Sequence, residues 1–279
     1  MNMKHSNDSG GLRSVVSRRE VMGLAGKTVI AGGLSGLLPG TPLTAAEVAV
    51  SPDLVPLRPE ILPLIKLIEE TPRGKCVELL DAQLRKGVPF RELMAAAFLH
   101  ALRHDGHHTV YLIYSALELS SQLPLEDRLL PLFWAVDVVK EHIDRFKEKP
   151  APALKGSLPK DNAAAEFDAA MDAWEQERAE LAVIALARSE GVGAALQRFC
   201  HYAARDWSFI GHMPIAVSNA WRTLQVIGMQ HAEPTLRYLV RELHLWNANK
   251  TSGQSYEANV EHVAQRFAKL PPDWADSRS

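Results

Sequence analysis

The chain is poor in cysteine, with two in 279 residues, poor in aromatic residues at 7%, and has no surplus of basic charge. Cys76 and Cys200 each fall inside an apolar helical pattern, which excludes a disulfide scaffold and leaves one bridge between them open. Binding to a phosphate backbone needs clustered Lys and Arg; with 31 basic against 33 acidic residues and no such cluster, nucleic acid is not an expected partner. No apolar run is long enough to remain in a bilayer as a spanning helix. No segment alternates apolar and polar residues with period two over a useful length, so half-buried strands are not expected. Several chemistries lack their motifs as well. There is no HExxH helix, no glycine-rich phosphate cradle, no Gly-x-Ser-x-Gly elbow, no twin CxxC, no CxxCH and no pair of Glu-x-x-His repeats.

What is present begins at the N-terminus. A polar, positively charged stretch ends in Ser17-Arg18-Arg19-Glu20-Val21-Met22, where paired arginines precede apolar residues as the twin-arginine export route requires. The mildly apolar run behind it, Val21 to Leu38, is interrupted by glycines and Lys27; Pro39, Gly40 and Pro42 then stop any helix. Leu43-Thr44-Ala45-Ala46 offers small residues for a signal peptidase. Residues 1–46 are therefore read as a twin-arginine signal peptide, and the mature protein as one exported to the periplasm or beyond by that machinery. Removing its five basic and two acidic residues from 31 and 33 leaves 26 and 31, a mildly acidic remainder suited to a small-molecule ligand.

Beyond Pro56 apolar residues recur three and four apart, and prolines fall near predicted helix starts, where the missing amide proton costs nothing. The expected fold is all-α, a bundle of about ten helices. Their predicted ranges are 59–70, 72–86, 89–104, 107–121, 125–148, 163–188, 191–205, 210–227, 234–248 and 256–268, with Pro131 kinking or restarting the fifth. The stretch 149–162 carries prolines and a glycine among charged residues and reads as a linker between two helical halves, 47–148 and 163–270. Residues 271–279 read as a disordered tail. Trp134, Trp174, Trp221 and Trp246 occupy core-like positions.

The two halves share an ordered pattern. His100-x4-Asp105-Gly106-His107 recurs as His201-x4-Asp206 followed, after an insertion, by Gly211-His212, and each copy opens an apolar helix. A duplication would bring two Gly-His helix starts toward one shared pocket. Chance similarity between helical hairpins is the other reading.

Four histidines, His100, His104, His107 and His108, lie within nine residues, and the first two are one helical turn apart on one face. Imidazole is both the commonest protein metal ligand and the side chain that titrates near neutrality, so the cluster suits metal binding or acid–base work. A wet helix–loop–helix corner capped by Asp105 would use the same residues. His107, at a helix N-terminus, is kept neutral by the positive end of the dipole. On the later helix His212, Asn219 and Arg222 form a polar stripe that must face water, tie helices together or line a cavity. His231 stands at a further polar helix start that would close the same pocket.

The segment Gly106-His107-His108-Thr-Val-Tyr-Leu-Ile-Tyr-Ser-Ala-Leu-Glu118-Leu-Ser120-Ser121 resembles the part of questin oxidase-like proteins in which a Gly-His start leads into a helix ending in Glu-Leu-Ser-Ser. Gly211-His212 is more loosely similar to the later histidine-bearing helices of that family. The resemblance implies a helical scaffold and oxygen-dependent oxidation of an aromatic substrate with a reduced nicotinamide cofactor. It implicates His107 and His212.

The expected function is thus an exported helical protein with a histidine-lined pocket, an oxidoreductase acting on a small organic substrate with or without a metal. In it His107 and His212 act as base or ligand, and Asp206 orients a neighbouring side chain. Arg205, Asn219, Arg222 and His231 hold substrate, and His104, His107 and His212 are the candidate metal ligands. The competing expectation is a non-catalytic binding or scaffolding protein of the cell envelope.

Overall fold

The computed structural model describes residues 61–146, 150–205, 208–246 and 253–271. The leader, the tail from residue 272, Asp206 and the side chain of His107 lie outside the described residues.

The fold is all-α, with no strand among the described residues. Among the described residues eleven helices follow in order: α1 Leu62–Glu70, α2 Cys76–Arg85, α3 Phe90–Arg103, α4 His107–Gln122, α5 Leu130–Phe146, α6 Ala163–Ala173, α7 Gln176–Glu190, α8 Val192–Ala204, α9 Ser208–Ile227, α10 Ala232–Trp246 and α11 Gly253–Arg266. None is long and apolar enough to cross a membrane.

Helix α3 is the axis of the bundle. Every residue from Leu93 to Leu102 is buried, and α1, α4, α5, α9 and α10 all pack on it. A helix covered on all sides must be apolar all round. Ala95, Ala96, Ala97 and Ala101 meet that need and let neighbouring helices approach closely, while Leu93, Phe98, Leu99 and Leu102 fill the space between. Each such fully buried Leu or Phe contributes about 1.5–3 kcal/mol. His100 is the polar interruption of this run.

The two expected halves share one core, since α3 and α4 pack on α9 and α10. The described part of the expected linker, 150–162, has no regular structure but is strapped across the bundle. Ala151 N donates to Arg103 O at 2.6 Å, Arg237 donates to Pro152 O at 3.2 Å, and Leu154 and Leu158 pack against the core.

Some expected boundaries are corrected. The helix read as 163–188 is two, because Trp174 adopts the left-handed conformation at φ 61° and ends α6, with no glycine or proline to mark the break. Helix α9 begins at Ser208, so His212 lies in its second turn and not at its start. Gly211, at φ 77°, and Pro214 interrupt the regular winding inside that helix. Pro131 restarts the chain as α5 after a short 3-10 turn at Leu125–Asp127. Trp134 is 51% exposed and not a core residue, because its place on α5 faces away from both α4 and the bundle axis. Cys76 is buried and Cys200 exposed, and both are free thiols.

Candidate metal centre

The last turn of α1 carries Glu69, and its carbonyls are capped from another helix. The buried Lys140 of α5 donates Nζ to Ile68 O at 3.0 Å and to Glu69 O at 2.9 Å. This places a cation against the negative end of the α1 dipole and satisfies groups that the helix itself leaves without donors. Glu69 is fixed by its own backbone above the final turn of α3.

There it meets His100 and His104. Nε2 of His104 is 3.2 Å from Oε1 of Glu69, and Nδ1 of His100 is 3.8 Å from the same oxygen. The two rings, one helical turn apart, stand edge to face with centroids 5.0 Å apart. One nitrogen from each ring and a carboxylate oxygen all lie within 4.8 Å of one another. Tetrahedral zinc with bonds of about 2.0–2.1 Å separates its ligand atoms by about 3.4 Å, a value the two measured separations bracket. Among the described residues this is the one group of three or more His, Cys, Asp or Glu side chains with such spacing.

The electrostatics favour the ligand-competent forms. His100, with Arg103 and His104, holds the Glu69 carboxyl down to about 2, against burial, which raises it. Burial in turn lowers His100 below its ordinary value, opposed by Glu69. The carboxylate is therefore ionised and the His100 ring neutral at physiological pH. His100 is 2% exposed; its Nδ1 faces the Glu69 carboxylate at 3.8 Å, longer than a hydrogen bond, and its Nε2 has no hydrogen-bond partner. Buried imidazole nitrogens without partners cost free energy, and a bound cation would relieve that cost at one of them. The third neighbour of Glu69 Oε1 is a cation: Arg103 Nε lies 3.1 Å away, and its side chain is the most exposed of the three.

The corner that follows α3 is held in turn. Asp105 adopts φ 46°, and Arg241 of α10 secures it, reaching Asp105 Oδ1 at 2.8 Å and Leu102 O at 2.9 Å. Gly106 closes tightly on α3, since a Cβ there would sit 3.3 Å from Ala101 O. His104 caps α3 and belongs to the triad, so the corner is dry at His100 and His104.

The remaining expected residues lie in other surroundings. The ring of His212 stacks on Tyr111 at 5.3 Å and stands edge-on to His108 at 6.0 Å, which brings the segments after Gly106 and Gly211 together. Asn219 Nδ2 donates to Tyr111 O at 2.9 Å, and the Arg222 guanidinium lies 5.5 Å from the Tyr114 ring centre. The polar stripe of α9 thus faces α4 and ties the two helices. Beneath it the buried Glu242 accepts hydrogen bonds from Tyr111 and, at 2.9 Å, from Tyr238. Arg205 pairs with Asp172 at 2.7 Å and contacts His201 at 3.0 Å, beside a cavity of about 100 Å³. His231 lines a separate cleft of about 550 Å³ with Leu64, Leu67, Val88 and Glu92. At about 100° per residue, Leu67 points to the side of α1 opposite Glu69, so that cleft does not open on the triad. These residues do not form one pocket, and among the expected metal ligands only His104 lies in the triad.

Glu69 and Lys140 were not among the candidate residues read from the sequence, and His100 was read there only as a member of the four-histidine cluster. A signal for two of them exists. Glu69 follows the buried Ile65 by four positions, and Lys140 follows the buried Val136 by four, so each charge sits in an apolar stripe. Comparison of the chain with protein families, curated proteins and solved structures finds no match.

Proposed function

We propose that the protein is an exported helical metalloprotein in which Glu69, His100 and His104 hold a divalent transition metal. The observation that carries this reading is His100, buried in the central helix with Nδ1 facing the ionised Glu69 carboxylate at 3.8 Å, longer than a hydrogen bond, and Nε2 without a hydrogen-bond partner. Two imidazoles and one carboxylate suit zinc or iron(II) and leave coordination positions open. With iron such a set supports oxidation by dioxygen, the reaction class that the likeness of the Gly106–Ser121 segment to questin oxidase-like proteins also implies. A small organic molecule is the substrate class that follows.

The test is elemental analysis of the protein purified from cells that exported it, repeated after dialysis against zinc or, without oxygen, against iron(II). About one equivalent of metal is expected, lost in Glu69→Gln and His104→Ala. A protein that holds no metal under any of these conditions would remove the reading. Oxygen uptake by the iron-loaded protein with aromatic substrates then separates a catalytic from a structural metal.

The second reading is a non-catalytic scaffold in which the same residues clamp α1 to α3. It is favoured by the two cations at Glu69, Arg103 on the side chain and Lys140 on the backbone. Under it, losing His100 would lower stability and change no metal content.

A further inference from the structure

Resting on the metal-binding reading, we infer that Arg103 is the resident counter-ion of the triad and that metal enters by displacing it. The guanidinium and the metal require the same atom. Oε1 of Glu69 is approached by Arg103 Nε at 3.1 Å, by His104 Nε2 at 3.2 Å and by His100 Nδ1 at 3.8 Å. A cation bonded to that oxygen and to the two imidazoles would carry a double positive charge beside the guanidinium. Both ligand histidines lie on the buried side of the oxygen, whereas the Arg103 side chain is 32% exposed against 19% for Glu69. Arg103 is the one of the three neighbours with solvent to move into.

Its backbone does not need to follow. Arg103 O is held by Ala151 N at 2.6 Å, while the long side chain has several rotatable bonds with which to swing outward. Lys140 cannot move in the same way, because it is buried and its Nζ is bound to two carbonyls. The triad thus has one fixed cation, which positions the Glu69 backbone, and one displaceable cation, which neutralises the carboxylate until metal arrives. Metal affinity is set by the difference between two cations competing for one oxygen.

The experiment measures zinc and cobalt(II) affinity of the full chain by competition with a chromophoric chelator, comparing wild type with Arg103→Met and Arg103→Gln. Both replacements suit a helix end and keep an unbranched stem, so two independent chances of a folded variant exist. About tenfold tighter binding is expected in each, corresponding to the loss of a partly exposed competing ion pair. Wild type that binds while both variants bind equally or more weakly overturns the inference and leaves the metal site standing. Absence of binding in wild type and variants alike overturns the metal site itself. Binding in the variants alone supports the displacement in its strongest form.

Discussion

Nε2 of His104 lies 3.2 Å from Oε1 of Glu69, although 35 positions separate the two residues in the chain. The contact joins the last turn of α1 to the end of the central helix, and both ends are pinned from elsewhere. Lys140 of α5 holds the carbonyls of Ile68 and Glu69, and Arg241 of α10 holds the corner at Asp105. A carboxylate and two imidazoles are thus held close where α1 meets α3, with α5 and α10 pinning the two ends.

Replacing His100 with Leu is expected to leave the stability of the metal-free protein within about 1 kcal/mol of wild type, because relief of the buried ring and loss of its hold on the ionised Glu69 carboxylate offset one another. The same change should abolish metal binding. Urea denaturation in the presence of a chelator, paired with metal titration, checks both. A loss of stability greater than about 1 kcal/mol would assign the ring a structural bond instead.

The Glu69 carboxyl, held down to about 2 in the folded protein, would titrate near its ordinary value of 4.5 when unfolded. Its ionised form therefore stabilises the fold fully above about 4.5, and that contribution is lost as pH falls from there toward about 2. The amount is on the order of 3 kcal/mol. In Glu69→Gln the stability difference between pH 5 and pH 2.5, measured by urea midpoint with chelator present, should shrink by about 2 kcal/mol, since part of the contribution persists at pH 2.5.

Lys140→Met is expected to cost about 1–3 kcal/mol, since the carbonyls of Ile68 and Glu69 lose their cross-helix donor within the core. Zinc affinity should fall as well, because the turn that carries Glu69 loosens. Calorimetric melting of the chelated protein gives the first effect and metal titration the second. Lys140→Arg, which keeps the donors, should recover part of both.

Glu242→Leu removes the acceptor shared by the Tyr111 and Tyr238 hydroxyls and should destabilise the protein by about 3 kcal/mol, read from its denaturation midpoint. Tyr238 is raised well above its ordinary value of 10, by burial first and then by the neighbouring Glu242. Its neutral hydroxyl supports the fold below about 10, and the unfolded state gains as pH rises past that value. Tyr238→Phe should flatten the alkaline decline of stability between pH 9 and pH 11.

Much of the fold was legible because helix periodicity is a local property. The start of α4 at His107, the restart at Pro131 and the irregular stretch before Ala163 all follow from residues within a turn or two of the feature. The break at Trp174 was not legible, since no glycine or proline marks a left-handed residue whose ring stands edge-on to the distant His244. The exposure of Trp134 likewise depends on which helices surround α5. At the site, the spacing of His100 and His104 was enough to place both on one helix face, but which face stayed dry depended on α1.

By itself the sequence determined an all-α chain, the histidine-bearing corner after α3, and the polar stripe on α9, because each is written in spacings of three to seven residues. Only the tertiary structure decided that Glu69 would be the partner of His100 and His104, that Lys140 would position it, and that Arg103 would share its oxygen. It also decided that His212, Arg205 and His231 would stand in three different surroundings. The physical reason is range. Helices form from bonds four residues apart, whereas a cluster of polar side chains whose members lie 31 to 71 residues from Glu69 is set by how apolar faces pack around α3.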